Sequence, residues 1–551
     1  MYVRTIKRKN RDGSAVEYVQ LAHNVWDAEQ RQARAQVFYS FGRRDALDLD
    51  AIRRLVDSLA RLLDAGEGAE VRAKLERVDG LDYLGSRPAG GGYLLRRLWD
   101  KLGLGAIIQR QVRERQFRMS VERAVFAMVA NRALAPSSKW TIPEWLREDV
   151  ALDGIEDVEE QHCYRAMDVV HEYGDAIQRE VFTAVADVLN LEVDMLFFDT
   201  TSTYFETEDE SELKKPGHSK DHRPDLPQIV IGMAVTRDGI PVRVWVFPGN
   251  TSDAATVKRV KEDLKGWRLN RVVWVFDRGF TSEDNLREFQ KGGGHFIAGE
   301  KMRDGQATHD AALARPGRYQ KVNDKVEVKE VVVGEGEARR RFILVRNPKQ
   351  KERDEAKRKE VLDRLRAELQ ELGKLNVRQR DEHYGVLKAH ATLGRYLTRD
   401  KAGRPCIDQS KVRQEAHLDG KYLLSTSDDT LPVADVALGY KQLLLIEDAW
   451  RTLKTTLDLR PLNHRRDDRI HAHVLLCWLA LLLVRVIELA TDESWARTRR
   501  ELNRLTLGRF ASAAGTAERY ARPTPAQLAI LKAVGVEPPP RFRELVATPS
   551  A

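Results

Sequence analysis

Residues 196–206 read LFFDTTSTYFE. Three bulky apolar side chains run straight into Asp199, and a string of hydroxyl side chains follows. An apolar run of this length fits a buried strand. Asp199 then has two readings. It is a strand-end turn residue or N-cap, which is common chemistry for Asp, or it is a charged ligand held rigidly at the lip of a sheet. Asp194, earlier on the same strand, is the rival acid, but it lies mid-strand and has no TTS after it. One carboxylate does not decide the matter; partners elsewhere in the chain must.

Around this stretch the apolar pattern has the period of strands. LEVDMLFFD (191–199), QIVIGMAV (228–235), IPVRVWVF (240–247) and RVVWVFD (271–277) are short, rich in Val, Ile and aromatics, and bounded by Gly, Pro, Asn or Asp. SDAATVKRVKEDLK, between the third and fourth, reads as a crossover helix opened by a Ser cap. SEDNLREFQK follows as a second helix and GGGHFIAGEK as a fifth strand. The order β-β-β-α-β-α-β predicts an α/β fold, a mixed sheet flanked by helices.

The flanks differ. Residues 1–85 read as an α+β region: a hairpin (VEYVQLAHNVW, then AQVFYSFG), a turn at RDG (11–13) and a helix, LDAIRRLVDSLARLL. Residues 86–190 carry three- and four-residue apolar steps, as in SVERAVFAMVANRAL, and read as helical. The sheet region 191–301 is interrupted at 302–419 by an α+β insertion, with a hairpin (VEVKEVVVGEGEARRRFILVRN) and a long charged helix (KQKERDEAKRKEVLDRLRAELQELG). KYLLSTS (421–427) opens a second core segment, 420–490, that continues into a helix, ALGYKQLLLIEDAWRTLKTTL, and a buried helix at 470–490. Residues 491–551 read as a helical region and a loosely packed Pro-rich tail, with PTP at 523–525 and PPP at 538–540.

The chain has 551 residues, enough for several domains, and 92 Lys and Arg against 84 Asp and Glu, a net charge of +8. This mild excess permits a nucleic-acid partner without establishing one. Cys163, Cys406 and Cys477 are too scattered for a disulfide framework or a metal knuckle, which fits a reducing cytoplasm. The amino terminus has no apolar secretory core, and VLLCWLALLLV (474–484) is too short to span a bilayer, so no membrane partner is expected.

The fourth strand ends as the first does, with Asp277 directly after VVWVF. If the two strands are neighbours, their carboxylates project near one another and repel. A divalent cation relieves that repulsion and accepts hard oxygen ligands. Glu447, in LLLIEDAWRTLK, follows Leu443 by four positions and is expected near the apolar helix face. It either joins the aspartates through metal or forms an ordinary surface bridge with Arg451. His218 and His222 have ligand-like spacing, but no third ligand stands nearby and Pro224 argues for a loop, so zinc is not expected.

These motifs, in this order, resemble the DDE transposases of bacterial insertion sequences, in the branch whose third acid lies in a Y-x2-R-x3-E-x6-K signature. In YKQLLLIEDAWRTLK, Tyr440, Glu447 and Lys454 match the signature and Leu443 stands at the Arg position. The D-x-G-F motif matches Asp277, Gly279 and Phe280, and FFDTTS supplies Asp199. GHSKDHRPDLPQIVIG (217–232), FPGNTSD (247–253) and RPLNHRRDDRIHAHV (460–474) also look like this family. The resemblance spans roughly residues 90–490.

The resemblance implies an RNase H-like core in 191–301 and 420–490, with the 302–419 subdomain inserted between the second and third catalytic acids and a helical N-terminal DNA-binding region at 86–190. It implies two Mg²⁺ ions, with Mn²⁺ able to substitute, held by the catalytic acids Asp199, Asp277 and Glu447. It implies a transposase that binds terminal inverted repeats, cleaves DNA and transfers the strand, by cut-and-paste through a hairpin. The expected partners are element-end and target DNA and a second copy of the chain, in the bacterial cytoplasm at the nucleoid. Tyr440, Lys454, Lys220, His222 and Arg223 are the candidate phosphate contacts. Arg278 touches DNA or forms a salt bridge, and Trp450 stacks a displaced base or packs in the core. The competing functions are a DNA-binding regulator that has lost catalysis and a structure-selective nuclease on the same core.

Overall fold

The computed structural model describes all residues except 1, 10–14, 28–31, 61–81, 156, 192, 268, 270–271, 513–514 and 548–551. The RDG turn expected at 11–13 lies outside the described residues. The chain divides into two compact units. One comprises Met1–Gly85, Arg509–Ala517 and Glu544–Ala551. In it Tyr2–Lys9, Ala15–Asp27 and Gln32–Arg43 form an antiparallel three-stranded sheet, and a helix, Leu49–Ala60, follows.

The other unit, Ser86–Gly508 with Glu518–Arg543, is built on a nine-stranded mixed sheet. Its strands are β1 (Met195–Tyr204), β2 (Gln228–Thr236), β3 (Pro241–Pro248), β4 (Val273–Phe276), β5 (His295–Glu300), β6 (Gln320–Asn323), β7 (Val326–Val333), β8 (Arg340–Arg346) and β9 (Lys421–Thr426). They lie in the order β6-β7-β8-β9-β5-β4-β1-β2-β3. β1, β2 and β3 form an antiparallel meander, while β4 and β5 run parallel to β1. The hairpin of the 302–419 segment is β7–β8, and it extends this sheet through β9.

Strand alternation sorts β1 between two cores. Met195 and Phe197 face one and Leu196 and Phe198 the other. The first core also receives the helices of the 86–190 region and α5 (Asp467–Thr491). α5 is, among the described residues, the one helix long and apolar enough to cross a membrane, and it is buried among the helices Val121–Leu134 and Glu160–Glu172 and β3. The second core holds α1 (Asp253–Asp263) and α2 (Glu283–Gln290) through Val257, Val260, Leu286 and Phe289.

The long helix Pro348–Gly373 packs its thin seam of Leu362, Leu365 and Leu372 on Leu387, Tyr396 and Leu397, a local core of its own. The loosely packed tail expected at the carboxyl end is corrected. Pro525 opens a helix, Pro525–Val534, capped by Thr524 and Gln527, and Leu531 and Val534 are buried in the main core. Proline at the first turn of a capped helix costs no hydrogen bond, so PTP marks a helix start here.

The helix expected through ALGYKQLLLIEDAWRTLKTTL is also broken. It is α3 (Val433–Lys441), then α4 (Leu444–Arg451), and then a π-helical turn, Thr452–Thr456. The buried residues Val436, Ala437, Ile446, Ala449, Trp450 and Leu453 seat these pieces on the sheet.

Candidate active site

The parallel register pairs Met195 with Val273 and Phe197 with Val275. Asp199 and Asp277, each four residues beyond the first pair, therefore come level, Asp199 at the middle of β1 and Asp277 directly after β4. The strand-end reading of Asp199 is corrected, because the hydroxyl run continues β1 to Tyr204 and Asp194 lies just before the strand. Alternation sends Asp199 to the side of Phe197 and Thr200 to the side of α1. Burial pushes the Asp199 carboxyl up to about 6; the Lys220 ammonium opposes this, and Asp253 and Asp277 add to it.

The hydroxyl string after Asp199 pins neighbouring loops. Thr200 Oγ1 donates to Asp253 Oδ1 at the first residue of α1. Ser202 Oγ accepts the Lys220 backbone N–H at 2.8 Å, which folds the 217–226 loop over the strand end. The Lys220 ammonium then donates to Thr200 O (2.8 Å) and Thr200 Oγ1 (2.9 Å), and stands 3.5 Å from Asp253 Oδ2 and 3.9 Å from Asp199 Oδ1.

Asp277 is held from α3. The Tyr440 hydroxyl donates to Asp277 Oδ1 at 2.9 Å, and burial followed by the Asp277 charge pushes the phenol well above its ordinary range. Asp277 and Glu447 line one cavity, together with Lys325, Tyr422, Tyr440 and Leu444. The expectation that Glu447 lies inward near the apolar face is corrected: it is exposed. The break after Lys441 restarts the helix, and the buried face of α4 is Ile446, Ala449 and Trp450. Nor does Glu447 bridge to Arg451, which pairs with Asp448 at 2.8 Å.

Lys454, expected two turns along the Glu447 face, sits in the π-turn, whose wider winding rotates it. Its ammonium donates to Asp221 Oδ1 at 2.7 Å, and Arg460 bonds to the same oxygen. The Asp221 side chain is only 3% exposed, so this is an inward ion cluster, and Lys454 is not free for phosphate in this conformation. Trp450 is 6% exposed and belongs to the core, the packing role of its two readings. Arg223 pairs with Asp225 at 2.8 Å and lies over the Tyr204 ring. His222 is exposed with a left-handed backbone, φ 59°, and Arg278 is exposed beside Asp277. Asp194, the rival first acid, pairs with Arg237 at 2.8 Å.

Sequence reasoning missed Asp253 and Asp221. Asp253 follows NTS and reads as an ordinary acidic helix start. Asp221 sits in a polar loop with no periodicity to mark it as buried.

The donor chemistry fits a divalent cation at the aspartate pair: two level carboxylates, one of them raised by burial even with the Lys220 ammonium 3.9 Å away, still call for positive charge. The third acid stands apart. Among the described residues no three His, Cys, Asp or Glu side chains lie close enough together to hold one ion. Three carboxylates without a cation between them repel, and an exposed Glu447 on a short helix has nothing to draw it in.

The charge burden gives a testable sign. Asp199 has a raised pKa in the fold, so its contribution to stability is complete below the unfolded value of about 3.9. It is lost as pH rises through about 6. Asp199→Asn is therefore expected to raise the melting temperature of the metal-free protein at pH 7.5, with the difference closing near pH 4. An unchanged or lower melting temperature at pH 7.5 would count against a half-buried, charge-burdened Asp199.

Residues 195–483, more than half of the chain, match the family described as Transposase DDE domain. Residues 3–71 match the IS1634 family transposase N-terminal domain. The chain belongs to the DDE transposase family. The two matches together define it as an insertion-sequence transposase, a DNA-cleaving enzyme, as its motifs led us to expect. No curated protein matches. Among solved structures, a piggyBac transposase synaptic complex with hairpin DNA is similar at 10% identity and a TM-score of 0.35, over 74% of this chain and 78% of that one.

Proposed function

We propose that this transposase binds the terminal inverted repeats of its element and cleaves them with Asp199, Asp277 and Glu447, which hold two Mg²⁺ ions or, in substitution, Mn²⁺. The freed 3′-hydroxyl attacks the opposite strand, releasing the flanking DNA and leaving a hairpin; water opens the hairpin, and the 3′-hydroxyl so regenerated attacks target DNA, by cut-and-paste. The carrying observation is the level placement of Asp199 and Asp277 on adjacent parallel strands. An antiparallel β1-β2-β3 meander followed by parallel β4 and β5, in the order β5-β4-β1-β2-β3, supports an RNase H-like core.

The cations, when bound, supply positive charge to the attacked phosphate and to the leaving 3′ oxygen. The chain's own groups prepare the site. Tyr440 occupies one oxygen of Asp277 and fixes its orientation, leaving the other for ligation. Lys220 neutralises the Asp199 side of the pair. Arg278, exposed at the turn after Asp277, faces outward for phosphate. Helices of 86–190 read the repeat, and two copies of the chain pair the two ends, at the nucleoid in the bacterial cytoplasm.

Incubation of the purified chain with Mg²⁺ or Mn²⁺ and DNA carrying the element's own ends is expected to give a nick at the terminal 3′ end, followed by strand joining. Tight end binding with no nick in either metal would indicate a regulator that has lost catalysis. Cleavage indifferent to the end sequence would indicate a structure-selective nuclease.

A further inference from the structure

Three separate stretches of sequence meet at one carboxylate, the last residue of FPGNTSD, to which the resemblance gave no role. Asp253 is the first residue of α1. Its Oδ1 accepts the Thr200 hydroxyl, one residue after the first acid. Its Oδ2 lies 3.5 Å from the Lys220 ammonium, brought in by the 217–226 loop. A methyl group added at Gly279, two residues after the second acid, would meet the same Oδ2 at 3.1 Å, so the glycine of D-x-G-F leaves this carboxylate its room. Asn285 ties the start of α1 to the turn after Asp277, donating to Ala254 O (3.0 Å) and Phe280 O (3.2 Å).

An acid at a helix start needs no other purpose, because it interacts favourably with the exposed N–H groups there. Asp253 spends both oxygens elsewhere, on a strand hydroxyl and on a lysine. Without it, the ammonium keeps only the Thr200 oxygens and the longer approach to Asp199. Four-carbon lysine stems are flexible, so an ammonium held at one end by a single residue is poorly fixed. We propose that Asp253 is a positioning residue of the cleavage site: with Thr200 it clamps the Lys220 ammonium beside Asp199, where the cation meets the DNA phosphate. This rests on the reading of Asp199 and Asp277 as cleavage acids.

The first test needs neither DNA nor divalent ions. Acetylation of Lys220 by an N-hydroxysuccinimide ester is followed by mass spectrometry, with exposed Lys357 as the internal reference. Asp253→Asn keeps the shape and an acceptor for Thr200 but removes the negative charge that faces the ammonium. The Lys220 labelling rate is expected to rise about five-fold, with Lys357 unchanged. The second test is single-turnover nicking of end DNA. Asp253→Ala is expected to lower the maximal rate about ten-fold or more, with the half-saturating DNA concentration within about three-fold. Asp253→Glu recovers part of the rate, and Asp253→Ala with Lys220→Gln is no slower than the slower single variant. Should Asp253→Ala not fold, Asp253→Asn and Asp253→Glu carry the kinetic comparison. Equal Lys220 labelling in wild type and Asp253→Asn, or rate losses that multiply in the double variant, would overturn the clamp. If the wild type does not nick at all, the cleavage reading fails while the labelling still decides whether Asp253 grips Lys220.

Discussion

Asp277→Asn is expected to reduce nicking of element-end DNA by about a thousand-fold, equivalent to roughly 4 kcal/mol of transition-state stabilisation. The substitution is close to isosteric. Asn retains an oxygen that accepts the Tyr440 hydroxyl, so the 2.9 Å contact and the packing of α3 survive. What is lost is a negative charge level with Asp199, the charge a cation there needs most. The loss should therefore fall on the chemical step, with end binding, measured by gel shift, within a few fold of wild type. Removing this charge also removes one of the neighbours that raise Asp199. A variant that nicks at the wild-type rate would take Asp277 out of the cation site and leave the level aspartates without a purpose.

The second large effect is at a residue with no chemistry of its own. A Cβ built on Gly299 of β5 would stand 2.2 Å from the Tyr440 hydroxyl oxygen and 2.9 Å from Cζ. Neither distance is tolerable, so in Gly299→Ala the phenol must retreat by about 1 Å or more, and its bond to Asp277 breaks. Misplacing a group near a reacting centre by that amount costs about a hundred-fold in rate, which is the expected fall in single-turnover nicking. Gly299 is not in a left-handed conformation, so backbone strain does not enter. Tyr440→Phe removes the hydroxyl directly. Combined with Gly299→Ala it should be no slower than Gly299→Ala alone, because both changes act through one contact. Wild-type nicking by Gly299→Ala, or losses that multiply in the pair, would show that the Tyr440–Asp277 bond does not position the acid.

How much of this was legible beforehand depends on the residue. The five strands and two helices between 191 and 301 follow from apolar spacing; the fifth strand is His295–Glu300, but the first, Met195–Tyr204, begins and ends four to five residues later than LEVDMLFFD. The two aspartates were legible because each directly follows an unbroken apolar run, although only Asp277 stands at a strand end, β1 continuing past Asp199 to Tyr204. Glu447 was less so. Its expected inward position assumed one continuous helix from Ala437, whereas the chain breaks after Lys441 and widens into a π-turn at Thr452. Those breaks are set by how Ile446, Trp450 and Leu453 seat in the core, a demand that local spacing does not carry. Lys454 was misread for the same reason: it has a plausible surface role by type, and packing turned it inward, while Trp450 took the core role of its two readings.

By itself the sequence determined the short unbroken apolar runs, the acids that follow them and the ordered motifs that mark a transposase. These are local properties, fixed by which side chains alternate along a strand and which residue comes next. Only the tertiary structure decided that β1 and β4 are parallel neighbours, that Tyr440 reaches Asp277 across Gly299, and that Asp253 and Asp221 each gather cations from distant loops. Such juxtapositions come from closing the sheet and burying two cores. A carboxylate's partners are then whatever that closure brings within about 4 Å of it, and no spacing along the chain records that distance.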